Sequence, residues 1–221
     1  MSGIGEASLV LGLMSSIITI IETCHLLSEA LVDEKNLPKT IRSCADKLPL
    51  ICSLLEEGET YIKGCAEEKK TALEPVLKSC DSKAKQLKTI FDKICPEENV
   101  SRWDRYVKAA KGIGKGGRVE DLVNGIMDDL QLMTTKFPDI VKSERAKDKF
   151  QKALNEMKEL DPTLPDGFEK EDASVLISNY GSGLQNVNTG TGDLNSNSGS
   201  GQQFIGKTQN FGAIPTLPRS S

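Results

Sequence analysis

An all-α fold, a bundle of four to five helices followed by a disordered, amyloid-forming C-terminal tail, is predicted by three observations. Apolar residues recur at steps of three and four from about residue 6 to residue 160. No segment in that range sustains the alternation of a strand. Beyond Ser178 the composition changes to Gly, Asn, Ser, Thr and Gln, with almost no charge and too few apolar residues to fill a core.

The first helix carries an uncharged run, Ala7–Ile21, ASLVLGLMSSIITII. Fifteen residues span ~22 Å as a helix, slightly less than the ~20 residues a bilayer needs. The run is apolar on nearly every side, interrupted only by the small residues Gly12, Ser15, Ser16 and Thr19. A secretory signal would want a basic start, yet the first charge is Glu6 and the first basic residue Lys35. Three readings stay open: a central buried helix, a helix buried at rest and inserted into membrane on activation, and a constitutive anchor. Glu6 and Glu22 bracket the run and disfavour the last.

Asn36-Leu37-Pro38 reads as the next helix start, with Asn36 as cap and Pro38 near the first turn. Its stripe runs through Leu37, Ile41, Cys44, Leu48, Ile51, Leu55 and Ile62, with a kink expected at Pro49 and a weakened end at Gly58 and Gly64. Leu73, Leu77, Cys80, Ala84, Leu87, Phe91 and Ile94 form the following stripe, which Cys95-Pro96 ends. A short one, Trp103, Tyr106, Val107 and Ala110, precedes a glycine-rich break at Gly112–Gly117. Val119, Leu122, Val123, Ile126, Leu130, Met133 and Phe137 make another, and Phe150, Leu154 and Met157 the last, with a kink expected at Pro138. Each stripe must be buried against another helix.

Several function classes recede. The net charge of −4 is small and mixed in sign, which argues against nucleic acid; the basic cluster Arg102–Arg118 is interrupted by Asp104 and bounded by Glu120 and Asp121. His25 is the only histidine, so a multi-His zinc site is excluded and a triad could be built only there. It reads as a solvated or lightly paired residue beside Glu22 and Glu29. The six cysteines form no CxxC, and most fall on apolar stripes, where they act as small hydrophobes. Lys111–Gly117 lacks the spacing and the Lys-Ser/Thr end of a P-loop. No enzymatic activity and no cofactor are expected.

Four segments follow: a helical domain over 1–160, a linker over 161–177 marked by Pro162, Pro165 and Gly167, the low-charge segment 178–212, and a terminus over 213–221. Segment 178–212 repeats at a period of nine. Gly181–Thr189 aligns with Gly190–Ser198, and a third opening starts at Gly199. A calcium β-roll needs an aspartate in each repeat and only Asp193 is present. A flexible linker needs neither Leu-Gln-Asn-Val-Asn nor Gln-Gln-Phe-Ile-Gly. Cross-β stacking uses both: in-register copies align their Asn and Gln amides into ladders, and Leu184, Val187, Phe204 and Ile205 supply apolar seams. The amyloid core is therefore placed on Gly183, Leu184, Gln185, Asn186, Val187 and Asn188, and on Gln202, Gln203, Phe204, Ile205 and Gly206.

The opening SGIGEASLVLGLMSSIITIIE, with NLPKTIRSCADKLPLI after it, resembles the HeLo-like, SesA-type domain of fungal NLR-associated proteins and NACHT receptors. The tail's G-x-G-x-Q and N-x-N-T-G elements are similar to the prion-like motifs of the same systems. Both the pseudo-palindromic type, related to the RHIM of animals, and the sigma type stay open; Gln203–Gly206 resembles the RHIM core. The resemblance implies a cell-death effector of heterokaryon-incompatibility type, cytoplasmic when inactive. An NLR-type receptor with a matching motif would template the tail, which would self-assemble and bring the domain to plasma-membrane lipids. The implied membrane-inserting residues are Leu9, Val10, Leu11, Leu13, Met14, Ile17, Ile18, Ile20 and Ile21. A non-lytic adaptor that polymerises through its tail and recruits partners is the alternative.

Overall fold

A computed structural model describes residues 3–31, 37–96 and 100–170, the side chains of residues 3–8 excepted. All lie in the first of two units into which the chain divides, Met1–Gly181. The second, Ser182–Ser221, with every residue of the expected amyloid core, lies outside the described residues, as does Asn36.

The described residues form an all-helical bundle without strands: α1 (Gly3–Glu29), α2 (Lys39–Ala45), α3 (Leu48–Lys63), α4 (Glu67–Ile94), α5 (Arg102–Ile113), α6 (Val119–Lys136) and α7 (Glu144–Lys158). Short 3-10 turns follow at Pro138–Ile140 and Phe168–Lys170. The long helix α4 is the axis, packed chiefly against α1 and α6 and also against α5; α3 lies on α1. The stripes do this work. Leu73, Leu77, Cys80, Ala84, Leu87, Phe91 and Ile94 of α4 are all buried, as are Leu48, Ile51, Leu55 and Ile62 of α3.

Among the described residues seven helices stand where four to five were expected, because two prolines break the chain instead of bending it. α2 stops at Ala45 and α3 restarts at Leu48, which puts Pro49 in a first turn, where its missing N–H has no partner to lose. Pro138 likewise opens a 3-10 turn after α6 has ended. Pro38 is the N-cap of α2 and lies outside its first turn. Conversely, Pro75 lies inside α4 without ending it. Such a proline costs about 3 kcal/mol, which the packing of the rest of α4 offsets. Gly58 is no fraying point either. It is buried mid-helix, and a Cβ there would stand 2.8 Å from the Met14 Cε and 3.3 Å from that of Met133. The glycine lets α3 approach α1 and α6 closely.

The described part of the expected linker, residues 161–170, is packed against the bundle. Thr163, Leu164 and Phe168 are buried, and Thr40 donates from Oγ1 to the Asp161 carbonyl at 2.9 Å. Pro162, Pro165 and Gly167 (φ +80°) do stop the helix. They stop it in order to lay a strap across the bundle.

Candidate functional site

α1 is the candidate site, and its docking is one-sided. Val10, Met14, Ile17, Ile21 and Cys24 are fully buried, and Ser28 and Leu31 continue the same line. Steps of four and three keep that line on one side of the helix. Leu11, Leu13, Ile18 and Ile20 pack half-buried beside it, while Leu9 is exposed. The expected inserting residues thus divide: four form the docking stripe, four flank it, and one faces out. Gly12, Ser15, Thr19, Glu22 and Leu26 line the exposed side, Leu26 at 65% of its full surface. The small residues that look like interruptions in a buried helix are its solvent seam.

Taken with the rest of α1, the apolar stretch runs Leu9–Glu29, 21 residues of mean hydropathy 1.8, long and apolar enough to cross a membrane, yet only 28% of it is buried. It includes the exposed Glu22 and a half-exposed His25 whose Nε2 lies 4.0 Å from Glu29.

Polar contacts tie α1 down along its length. Ser15 donates to Glu59 Oε1 at 2.6 Å, and Lys63 takes the other carboxylate oxygen at 3.0 Å. The hydrogen bonds from Ser15 and Lys63 hold the Glu59 carboxyl below the usual range. Ser16 faces the buried Asp81 at 3.5 Å, and Lys85 pairs with that carboxylate at 2.6 Å. At the other end, Cys95 Sγ donates to the Leu27 carbonyl at 3.1 Å and Arg102 to that of Ala30 at 3.4 Å. Thr19 and Thr23 spend their hydroxyls on carbonyls one turn back, so the seam offers few free donors.

A second polar cluster holds the strap. The Val119 N–H donates to the Tyr106 hydroxyl at 3.3 Å, Tyr106 donates to Thr163, and Thr163 donates to Glu120 from its hydroxyl at 2.9 Å and its backbone N–H at 2.7 Å. Arg118 closes it, bonding Asp121, the Leu164 carbonyl and Asp166, its guanidinium 5.9 Å from the Phe168 ring. Burial raises the pKa of Glu120 despite these donors. A raised folded-state value means that the stability this group lends is complete below pH 4.5 and is lost as pH rises through it. Glu59 and Glu156, both held low, lose their contribution only below 4.5. Glu120→Gln should therefore flatten the decline in stability above pH 4.5, read from denaturation midpoints at pH 4.5 and 7. An unchanged slope would assign the decline to another group.

All six cysteines are free, and Cys24, Cys44 and Cys80 are buried. Burial pushes the Cys24, Cys52 and Cys80 thiols up to about 12 and Cys95 to about 11, with Cys44 raised further. Such thiols are inert at neutral pH. Among the described residues no group of His, Cys, Asp or Glu could hold a metal ion.

A family model, SesA, described as the N-terminal domain on NACHT NTPases and P-loop NTPases, matches residues 14–133. The match runs from the middle of α1 to the last turn of α6 and leaves out α7 and the strap. No curated protein and no solved structure matches the chain.

Proposed function

The chain belongs to the SesA family, and from that membership we propose that it is a cell-death execution protein, switched on by amyloid templating from an NLR-type receptor and acting by permeabilising the plasma membrane through α1. The observation that carries this reading is the mismatch in α1 between composition and docking. It is apolar enough to span a bilayer, yet only one stripe of it is fully buried. The family's occurrence on NACHT NTPases supports a receptor partner of that class. The phased repeats of residues 181–201 support the tail as the element that is templated.

Magnitudes set the conditions for release. Withdrawing Val10, Met14, Ile17 and Ile21 into water forfeits about 1.5–3 kcal/mol each, together about as much as a whole domain's net stability. The resting protein, cytoplasmic in this reading, keeps α1 docked. A bilayer changes the balance because it shelters the stripe, the flanks and Leu9 at once. Polymerisation through the tail adds the local concentration.

A non-lytic adaptor is the second reading, favoured by the complete burial of the docking stripe, which suits a helix that never leaves. Cells expressing the full chain with a fluorescent label, seeded with fibrils of residues 171–221, separate the two. The lytic reading expects relocation to the plasma membrane followed by uptake of an impermeant dye. Labelled foci that recruit partners without dye uptake would favour the adaptor.

A further inference from the structure

Arg102 and Arg118 of the basic cluster at Arg102–Arg118 serve the bundle itself, but Lys108 and Lys115 have no role so far, although the cluster concentrates charge against the trend of the chain. It holds Arg102, Arg105, Lys108, Lys111, Lys115 and Arg118 against one acid, Asp104, in a protein of net charge −4. We propose that the groove between α4 and α5, with the glycine loop that follows α5, is a docking surface for anionic phospholipid, engaged while α1 is still in place. The inference deepens the membrane-acting reading and rests on it.

The groove encloses about 640 Å³ between the last turns of α4 and the outer side of α5. Its lining is amphipathic. Ala109 and Ile113 supply apolar surface, Val100 stands at its edge 52% exposed, and Lys93 and Lys108 are the exposed cations. Among the described residues, both acids that line it, Asp92 and Asp104, are already engaged. Asp92 is paired with Lys88 at 2.6 Å, and Asp104 closes the N-terminal cap of α5 with Ser101, also at 2.6 Å. Lys93, Lys108 and Lys115 have no ion-pair partner among the described residues. Gly114 and Gly116 (φ +88° and +79°) turn the chain after α5, and Lys115 between them is exposed.

This combination selects its ligand. A free phosphate would be served by the lysines alone and would gain nothing from Ala109, Ile113 or Val100. A nucleic acid would call for stacking rings, which these lining residues do not supply. A headgroup phosphate, with the glycerol and first methylenes below it, uses both the cationic edge and the apolar lining. Each lysine near an anionic leaflet contributes about a fivefold gain in partitioning, and the gain is lost in salt.

The test is flotation of the full chain, without fibrils, on vesicles of phosphatidylcholine alone or with phosphatidylserine. Binding to the anionic vesicles only, reversed by salt, is expected. Lys108→Glu with Lys115→Glu, both exposed, should weaken it roughly tenfold or more with an unchanged thermal melt. Thr19→Lys, on the seam of α1, should bind as wild type. Equal binding to neutral vesicles, or wild-type binding by the double variant, overturns the docking surface. So does a short RNA that binds these lysines when vesicles do not. Salt-sensitive binding that never leads to leakage after seeding would keep the docking surface and sink the lytic reading. Leakage from neutral vesicles would do the reverse.

Discussion

Thr19→Lys should leave the bundle folded and suppress membrane leakage. Thr19 is exposed, and its hydroxyl serves only the carbonyl one turn back. Lysine is at least as good a helix former, and at this position Glu22 is a partner one turn on. Docked, the substitution therefore costs nothing of note. Inserted, it stands midway along Leu9–Glu29, where a lysine costs about 2.5–3.5 kcal/mol, a loss of insertion on the order of a hundredfold. Ser16, another small residue of the same run, serves less well. It faces Asp81, and a lysine there gains an ion pair that holds α1 to α4. Ile17→Ala confounds the question differently, because a fully buried isoleucine costs about 2–5 kcal/mol when truncated. Leakage by Thr19→Lys at the wild-type rate would remove α1 from the mechanism.

Ending the chain at Lys158 should destabilise the bundle by about 4 kcal/mol or more, while ending it at Lys170 should not. The shorter chain uncovers the sites of Leu164 and Phe168, about 1.5–3 kcal/mol each. It also strips the buried Glu120 of both donors from Thr163, and a buried group without its partners adds about 1–3 kcal/mol. Against a net stability of 5–15 kcal/mol that is a large share. Denaturant midpoints of the two fragments decide it. Equal midpoints would return residues 161–170 to the status of a linker.

What could be read from the sequence depended on whether the signal was periodic. The stripes of α3, α4 and α6 are dense enough in Leu, Ile and Val that their buried faces could be named residue by residue. α1 defeated the same method because it is apolar all round. The distinction between its stripe and its seam lies in residue size, Gly12 and Ser15 against Met14 and Ile17, which a count of apolar residues does not register. The strap escaped the sequence reading for the opposite reason. Pro162, Pro165 and Gly167 correctly forbid a helix, but non-helical chain can still be packed, and Thr163, Leu164 and Phe168 were the cue. The Glu120–Thr163–Tyr106 cluster brings Thr163 to partners 43 and 57 residues before it, and no local pattern encodes such a meeting. The docking groove needed coordinates as well. The basic cluster was visible, but that Asp92 and Asp104 are already engaged was not.

Dye release from vesicles containing phosphatidylserine, followed on the purified full chain with and without fibrils of residues 171–221, tests the central claim most directly. Fibrils alone and chain alone should release little dye, the two together should release it rapidly, and Thr19→Lys should polymerise on the same fibrils without release. Polymerisation of the wild-type chain on intact vesicles would contradict the account.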